Sequence, residues 1–215
     1  MRLNMLEYLN TFDTRNVLSL QKYSFYFAVK RVLEIFLSLL LLFVTLPIAI
    51  LVMIAIKLES KGPIFYKQER VGLNGEKFFI LKFRSMFLNA EENGPKWAQK
   101  DDPRVTKVGK VIRKFRIDEL PQLLNVLKGE MSLIGPRPER EFFTEEFSKR
   151  IPGFKNRLLV RPGITGWAQV NGGYDITPFK KFMLDMYYIN NQSLKLDLII
   201  LLKTLVVIFT GNGAR

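Results

Sequence analysis

The chain has 215 residues and a formal net charge of +13, from 33 Lys and Arg against 20 Asp and Glu, which suits an anionic partner such as nucleic acid, an anionic lipid surface or a phosphorylated substrate. It contains no His and no Cys, which excludes Ser-His-Asp and Cys-His nucleophile systems, thiol chemistry and the usual zinc sites. Any catalysis therefore falls to carboxylates, Lys, Arg, hydroxyls or a hard metal ion.

The N-terminal part of the chain is organised around one apolar run. Residues 1–30 are weakly amphipathic, lack the pattern of a cleaved secretory signal and are predicted to precede the fold proper. Residues 35–56 then read IFLSLLLLFVTLPIAILVMIAI, long enough as a helix to cross a bilayer. Pro47 predicts a bend or break, whose freed carbonyls Thr45 or Ser38 would have to satisfy.

Two interpretations of this run stay open on its residues alone. Kinked helices do span membranes, so a simple spanning helix fits the length and composition. Basic residues flank the run on both sides, whereas the positive-inside rule normally marks one side only. That symmetry favours a re-entrant helix-break-helix that enters one leaflet and returns, leaving both ends in the cytoplasm.

A β-hairpin is predicted after the apolar run, because alternating residues flank the pair Asn74-Gly75. Its second arm ends with two cations, Lys82 and Arg84, which are candidate ligand contacts. Spacing alone favours the plainer interpretation that they lie on a solvated strand face.

Residues 104–116 combine apolar positions at helical spacing with six Lys or Arg side chains and no acid, which predicts a cationic amphipathic helix. Such a helix either lies in the plane of lipid headgroups or packs its apolar face on the core. Arg113 is the member of this segment that we carry forward as a candidate phosphate ligand.

Two adjacent acids, Asp118 and Glu119, follow this segment in the sequence FRIDELPQ. Asp118 is predicted at the N-cap of an apolar helix, where an Asp is most often only a cap. Nearby Arg113 is expected to keep Asp118 ionised, as a nucleophile or metal ligand must be. Neighbouring helical residues point about 100° apart. Separate roles are therefore favoured, with Asp118 attacking phosphorus while Glu119 holds Mg²⁺.

Three further segments carry candidate site residues. Prolines on both sides of Arg137 fix the backbone around a guanidinium that suits a phosphate. Glycines in residues 161–173 allow backbone approach to a ligand, with Gln169 and Asn171 offering amide contacts; the alternative is a structured loop and strand. Asp185 is an acid on a predicted helix with apolar neighbours, and residues 194–209 predict a buried or interfacial helix.

Several long motifs in order resemble the bacterial sugar transferase family, the monotopic phosphoglycosyl transferases that start glycoconjugate assembly on a polyprenol carrier. The matching stretches are GPIFYKQERVGLNGEKFFILKFRSM, DDPRVTKVGKVIRKFRIDELPQLLNVLKGEMSLIGPRPE and VRPGITGWAQVNG. The similarity runs from about residue 30 to the C-terminus. It implies an α+β, mostly helical fold with three parts: an N-terminal segment (1–30), a re-entrant membrane helix broken at Pro47 (31–57), and a compact cytoplasmic catalytic domain (58–215) with a small β-hairpin and interfacial amphipathic helices.

The resemblance also implies a reaction. Asp118 would become a covalent phosphosugar intermediate with release of UMP, Glu119 would help to bind Mg²⁺, and Arg137 and Arg113 would engage phosphate. Undecaprenyl phosphate would then accept the sugar phosphate at the cytoplasmic face of the bacterial inner membrane. UDP-glucose or UDP-galactose is the leading donor and a UDP-acetamido sugar the alternative. Nucleic acid is not expected as a partner, and a homo-oligomer stays open.

The chain departs from the family pattern at two positions. Leu46 stands where Ser often precedes the helix-breaking Pro, and Gly173 stands where Arg often follows the Asn-Gly pair. Candidates from other classes are a membrane-tethered module that binds nucleic acid or anionic lipid, and a membrane scaffold whose acid pair is only a cap.

Overall fold

The computed structural model describes residues 24–90, 92, 94, 102–172 and 176–210. Most of the predicted N-terminal segment and the departure at Gly173 therefore lie outside the described residues. The first element is a helix of 36 residues, α1 (Ser24–Glu59), with Pro47 in its interior. The helix is not interrupted at Pro47, so the predicted break was wrong. By length and composition α1 is the one helix in the described ranges apolar enough to cross a membrane, with a mean hydropathy of 3.1 in its most apolar window.

Both ends of α1 contact the rest of the fold. Near its start, Arg31 donates from Nη1 to the carbonyl oxygen of Val126 at 2.7 Å. At its end, the Glu59 carboxylate accepts from the backbone N–H of Lys107 at 2.6 Å and of Val108 at 3.0 Å. Between these ends the side chains are largely exposed and apolar, as expected of a helix whose middle lies in lipid.

Neither hydroxyl that the sequence suggested supports the backbone at Pro47. Thr45 donates to the carbonyl oxygen of Leu41 at 2.6 Å, within the preceding turn. Ser38 is fully buried and its hydroxyl has no hydrogen-bond partner. Because Pro47 lacks an N–H, the carbonyl left without a helical donor is that of Phe43, four residues earlier. The suggested roles of Thr45 and Ser38 at that carbonyl were therefore wrong.

The predicted hairpin is confirmed. Strand β1 (Phe65–Val71) pairs antiparallel with β2 (Lys77–Phe83), and a 3₁₀ turn (Leu73–Gly75) joins them. Asn74 and Gly75 adopt φ of 53° and 86°, the left-handed conformation that the Asn-Gly pair predicts.

The cationic amphipathic helix forms over a shorter range than predicted, as α2 (Lys107–Lys114). Thr106 caps it, since its hydroxyl accepts from the N–H of Gly109 at 2.9 Å. The side chain of Ile112 is buried in a small core cluster with Val52, Ile56 and Phe83. The apolar face of α2 therefore packs on α1 and β2, in agreement with the core-packing alternative.

The acid pair lies in a short 3₁₀ turn (Ile117–Glu119), reached through Arg116 with a left-handed φ of 55°. Helix α3 (Gln122–Lys128) begins only after it, with Pro121 at its N-cap and no side-chain cap. The prediction that Asp118 caps this helix was therefore wrong. Its carboxylate is left available for other contacts.

Two short parallel strands, β3 (Ser132–Ile134) and β4 (Gly163–Thr165), lie between the acid pair and the C-terminal helices. A Cβ at Gly163 would lie 2.1 Å from the N of Gly135, and one at Gly166 would lie 2.1 Å from its O. These glycines therefore serve the close approach of two backbone segments, in agreement with the alternative of a structured loop and strand.

Four helices complete the fold: α4 (Glu141–Arg150), α5 (Trp167–Gly172), α6 (Pro178–Asn190) and α7 (Leu194–Thr210). A 3₁₀ helix (Phe154–Leu159) joins α4 to β4. The main core includes Phe182 and Met186 of α6. Helix α7 buries Leu196 and Ile200 and exposes the apolar side chains of Leu198, Leu202, Leu205, Val206 and Phe209.

Gly109 provides a test of this packing. On helix propensity alone, Gly109→Ala would stabilise α2 by about 1 kcal/mol. A Cβ there would lie 2.0 Å from the carbonyl oxygen of Ser85. We expect a loss of about 1–3 kcal/mol instead, because the backbone must shift to admit the methyl group. Thermal unfolding in lipid nanodiscs shows whether Gly109→Ala raises or lowers the stability.

Lys110→Ala is the matched control, since Lys110 lies on the exposed face of the same helix. It should change stability by less than about 0.5 kcal/mol. A higher melting temperature for Gly109→Ala would show that the approach of α2 to Ser85 is wrong.

Candidate active site

A cavity of about 350 Å³ opens beside the acid pair: Asp118 forms part of its wall, whereas Glu119 does not. Its lining combines apolar side chains near the end of α1 with an excess of cations over acids. The cations in the wall are Arg70, Lys82, Arg84, Arg104, Arg113, Arg116, Arg137, Arg140 and Lys181. A cavity of this charge suits a ligand with several phosphate oxygens.

Glu119 is held behind Asp118 by two cations from different elements. Lys82, on β2, places Nζ 3.3 Å from Oε1 of Glu119. Arg137 donates to both carboxylate oxygens, with Nη1 at 3.3 Å from Oε2 and Nη2 on Oε1. The interpretation of Lys82 as part of a solvated strand face was therefore wrong, because its side chain is only 17% exposed and paired with a buried acid.

The two neighbouring carboxyls have opposite pKa shifts. Burial raises the pKa of Asp118 to about 6, although Lys82, Arg113 and Arg137 oppose the rise. Burial acts in the same direction on Glu119, but Arg137 and Lys82 outweigh it and hold the pKa of that carboxyl well below its usual range. Asp118 is therefore mostly ionised at neutral pH, as expected from its cationic surroundings, yet it takes up a proton more readily than an ordinary Asp.

Arg137 is fixed from its backbone side as well. Arg157 donates from Nη2 to the carbonyl oxygen of Arg137 at 2.9 Å. Arg157 is itself held by Asp185, with Nε 2.8 Å and Nη2 2.7 Å from Oδ2. Asp185 is almost fully buried and does not line the cavity. It supports the site through Arg157 and not by direct contact with the cavity.

The remaining candidates from the sequence are divided between cavity and scaffold. Arg84 lines the cavity, but its guanidinium also donates to the carbonyl oxygens of Ser60 and Lys61, at 2.8 and 2.9 Å, beyond the end of α1. Gln169 lines the cavity and donates to the carbonyl oxygen of Ile164. Asn171 does not line the cavity; it accepts from Lys203 on α7.

Several charged residues near the cavity were not found from the sequence. Glu139 accepts from Lys181 and pairs with Arg70 at 3.8 Å. Arg70 also donates to the carbonyl oxygen of Pro138, directly after Arg137. These residues come from distant segments, so no local spacing could have marked them as a group. A signal existed only in the excess of Lys and Arg over acids.

The donor set can be compared with the needs of Mg²⁺. Among the described residues no group of three or more acid or His side chains is placed to hold a metal ion. Mg²⁺ is often bound through only one or two carboxylates together with substrate phosphates and water. The hard carboxylate of Glu119 fits that pattern as one protein ligand, and its lowered pKa keeps it ionised, while both of its oxygens already pair with Arg137 and Lys82.

Comparison with known proteins agrees with this geometry. The bacterial sugar transferase family matches residues 25–211. A UDP-N-acetylgalactosamine-undecaprenyl-phosphate N-acetylgalactosaminephosphotransferase of Aeromonas hydrophila is 50% identical over 88% of this chain, which spans 46% of that relative.

Two shorter relatives are covered more fully. A putative undecaprenyl-phosphate N-acetylgalactosaminyl 1-phosphate transferase of Bacillus subtilis is 55% identical over 64% of this chain and 77% of its own length. A UDP-glucose:undecaprenyl-phosphate glucose-1-phosphate transferase of Caulobacter vibrioides is 45% identical over 86% of this chain and 71% of its own length. With the family match covering most of the chain, the protein belongs to the bacterial sugar transferase family.

Proposed function

We propose that the protein transfers a sugar 1-phosphate from a UDP-sugar to undecaprenyl phosphate and releases UMP. The observation that carries the proposal is a buried carboxylate, Asp118, that faces a cationic cavity beside the end of an apolar helix. Relatives over most of this chain are named for this reaction. The pathway that this step would begin is the assembly of exopolysaccharide, O-antigen or another glycoconjugate.

In the first step, an oxygen of Asp118 attacks the phosphorus that carries the sugar. The bond from that phosphorus to the bridging oxygen breaks, and UMP leaves with the electron pair. Arg137 and Arg113 lie in the cavity wall, where they would stabilise the negative charge that develops on the phosphoryl oxygens. The product is a phosphosugar bound covalently to Asp118.

In the second step, a phosphate oxygen of undecaprenyl phosphate attacks the same phosphorus, and the bond between that phosphorus and the Asp118 oxygen breaks. Polyprenyl diphosphate sugar leaves, and Asp118 is restored as a carboxylate. The apolar side chains of Phe65, Phe87 and Leu88 line the cavity and are exposed, so they suit the approach of a lipid from the side of α1.

Glu119, assisted by the substrate phosphates, is the residue that would hold Mg²⁺. When bound, the ion would neutralise phosphoryl oxygens and help the nucleotide to depart. Lys82 and Arg137 now occupy the carboxylate oxygens of Glu119, so these cations would share the carboxylate with the ion.

We propose UDP-glucose or UDP-galactose as the sugar donor, with a UDP-acetamido sugar as the alternative. UDP-glucose agrees with the name of the Caulobacter relative at 45% identity, and UDP-galactose is proposed beside it from the family resemblance alone. A UDP-acetamido sugar agrees with the names of the relatives at 50% and 55% identity, which refer to N-acetylgalactosamine. A panel of UDP-sugars distinguishes them.

For the membrane, we propose that α1 is re-entrant and that the catalytic domain lies on the cytoplasmic face of the bacterial inner membrane. Arg31 near the start of α1 and Glu59 at its end both bind the same catalytic domain. A spanning helix would instead carry one of its ends to the far side of the bilayer, about 30 Å of hydrocarbon away.

Removal of the nucleophile tests the reaction. Purified protein with Mg²⁺, undecaprenyl phosphate and a panel of UDP-sugars should release UMP from at least one donor, and Asp118→Asn should lose at least about 10³-fold in rate because an amide cannot form the intermediate. Glu76→Gln is the matched control, since Glu76 is an exposed acid on the hairpin turn. Full turnover in Asp118→Asn would show that the assignment of Asp118 as nucleophile is wrong. If the wild type releases no UMP from any donor, an anion-binding module or a scaffold is left as the function.

The pKa of Asp118 predicts the pH dependence of the first step. Protonation removes the attacking carboxylate, so kcat/KM for UMP release should fall about tenfold per pH unit below a pH of about 6. Arg137 lowers this pKa, so Arg137→Ala should move the acid limb to higher pH. An acid limb near pH 4, the value of an ordinary Asp, would contradict the burial of Asp118.

Cysteine labelling tests the topology, because the natural chain has no Cys. Cysteines placed singly at Asn10 and Glu76 should both resist a membrane-impermeant thiol reagent in intact cells and both react after permeabilisation. Labelling of only the first position in intact cells would establish a spanning helix.

A further inference from the structure

Helix α1 carries two buried charges that its apolar sequence does not require. Lys30 and Glu34 lie one turn apart, with side chains only 11% and 8% exposed. A charged side chain is costly in a helix that enters lipid, so it is retained where it has a specific partner. Both residues face the catalytic domain, where their partners lie.

Both charges bind the backbone of strand β3 or the side chains beside it. Lys30 donates from Nζ to the carbonyl oxygen of Ile134 at 3.0 Å and pairs with Asp197 at 3.2 Å. Glu34 accepts from the hydroxyl of Ser132 and from the N–H of Leu133, the latter at 3.2 Å. Helix α1 therefore forms hydrogen bonds to all three residues of β3.

Strand β3 leads directly to Arg137, and the connection is stiff. Gly135 donates to the carbonyl oxygen of Thr165 at 2.9 Å, and Pro136 accepts from the N–H of Gly163 at 2.9 Å. The backbones at Gly135 and Gly163 are too close for any added Cβ. Because these hydrogen bonds hold Gly135 and Pro136, and a Pro lies on each side of Arg137, a displacement of β3 would also displace Arg137.

We propose that Glu34 and Lys30 are positioning residues of the active site, which act through β3 to hold the Arg137 guanidinium at the phosphate subsite. The position of α1 in the membrane would thereby affect the position of Arg137 in the active site. This inference rests on the proposed function, because it assumes that Arg137 binds a substrate phosphate.

A double-mutant cycle on UMP binding tests the inference without requiring turnover. Full-length protein in nanodiscs is titrated with UMP by calorimetry, as wild type, Glu34→Ala, Arg137→Ala and the double variant. Glu34→Ala should weaken UMP binding about tenfold in the wild-type background and less than about twofold in the Arg137→Ala background, because residues that act through one another are not additive. An equal loss in both backgrounds would overturn the inference.

Conservative and matched variants separate positioning from general stability. Glu34→Gln keeps an oxygen that can accept from Ser132 and Leu133, so it should bind UMP within about threefold of wild type. Arg31→Ala removes hydrogen bonds from the same helix to Val126 and Leu127 on α3, not to β3, and should leave UMP affinity unchanged even where it lowers the melting temperature. If Arg31→Ala lost as much UMP affinity as Glu34→Ala, the contribution of Glu34 would be to general stability and not to the position of Arg137.

A second variant approaches the contact from its other side. Ser132→Ala removes the hydroxyl that bonds Glu34 and the carbonyl oxygen of Ile134, and it should reproduce the loss in Glu34→Ala should that variant fail to fold. The KM of the UDP-sugar for UMP release should rise in parallel. If wild type releases no UMP from any donor, the proposed function fails; an active wild type with an additive cycle means that only the inference fails.

Discussion

The buried pairing of Glu119 with Arg137 and Lys82 is the interaction on which the site depends. It joins three elements that are separate in the chain: strand β2, the 3₁₀ turn of the acid pair and the segment after β3. Removing one partner of a buried ion pair leaves an uncompensated charge, which is strongly destabilising. The pairing also explains the asymmetry of the two acids. Glu119 is bound by these cations and stays ionised, whereas Asp118 faces the cavity with a raised pKa.

A second layer of charges surrounds the segment that carries Arg137. Asp185 binds Arg157, which donates to the carbonyl oxygen of Arg137. Glu139 pairs with both Lys181 and Arg70, and Arg70 donates to the carbonyl oxygen of Pro138. This layer contains acids from α6 and from the loop before α4, which balance part of the positive charge that surrounds the cavity. The site can therefore concentrate cations for phosphate binding because neighbouring acids limit their mutual repulsion.

Features that depend on local chemistry were predicted well from the sequence. The hairpin follows from its Asn-Gly pair, and α2 follows from its helical spacing. Features that depend on long-range pairing were not. Asp118 was expected to cap a helix and Lys82 to face solvent, because the partners that determine both positions are many residues away in sequence. The contact of Gly163 with the backbone of Gly135 was not predicted either, since the two residues are distant in sequence.

The attachment of the end of α1 limits how the chain can be divided. Glu59 binds the first N–H groups of α2, Arg84 binds the carbonyl oxygens of Ser60 and Lys61, and Val52 and Ile56 complete the core cluster around Ile112. A fragment cut after residue 60 would expose that cluster and leave α2, which carries Arg113, without half of its cap. The end of α1 is thus part of the interior of the fold, and removing α1 to obtain a water-soluble fragment would remove part of that interior.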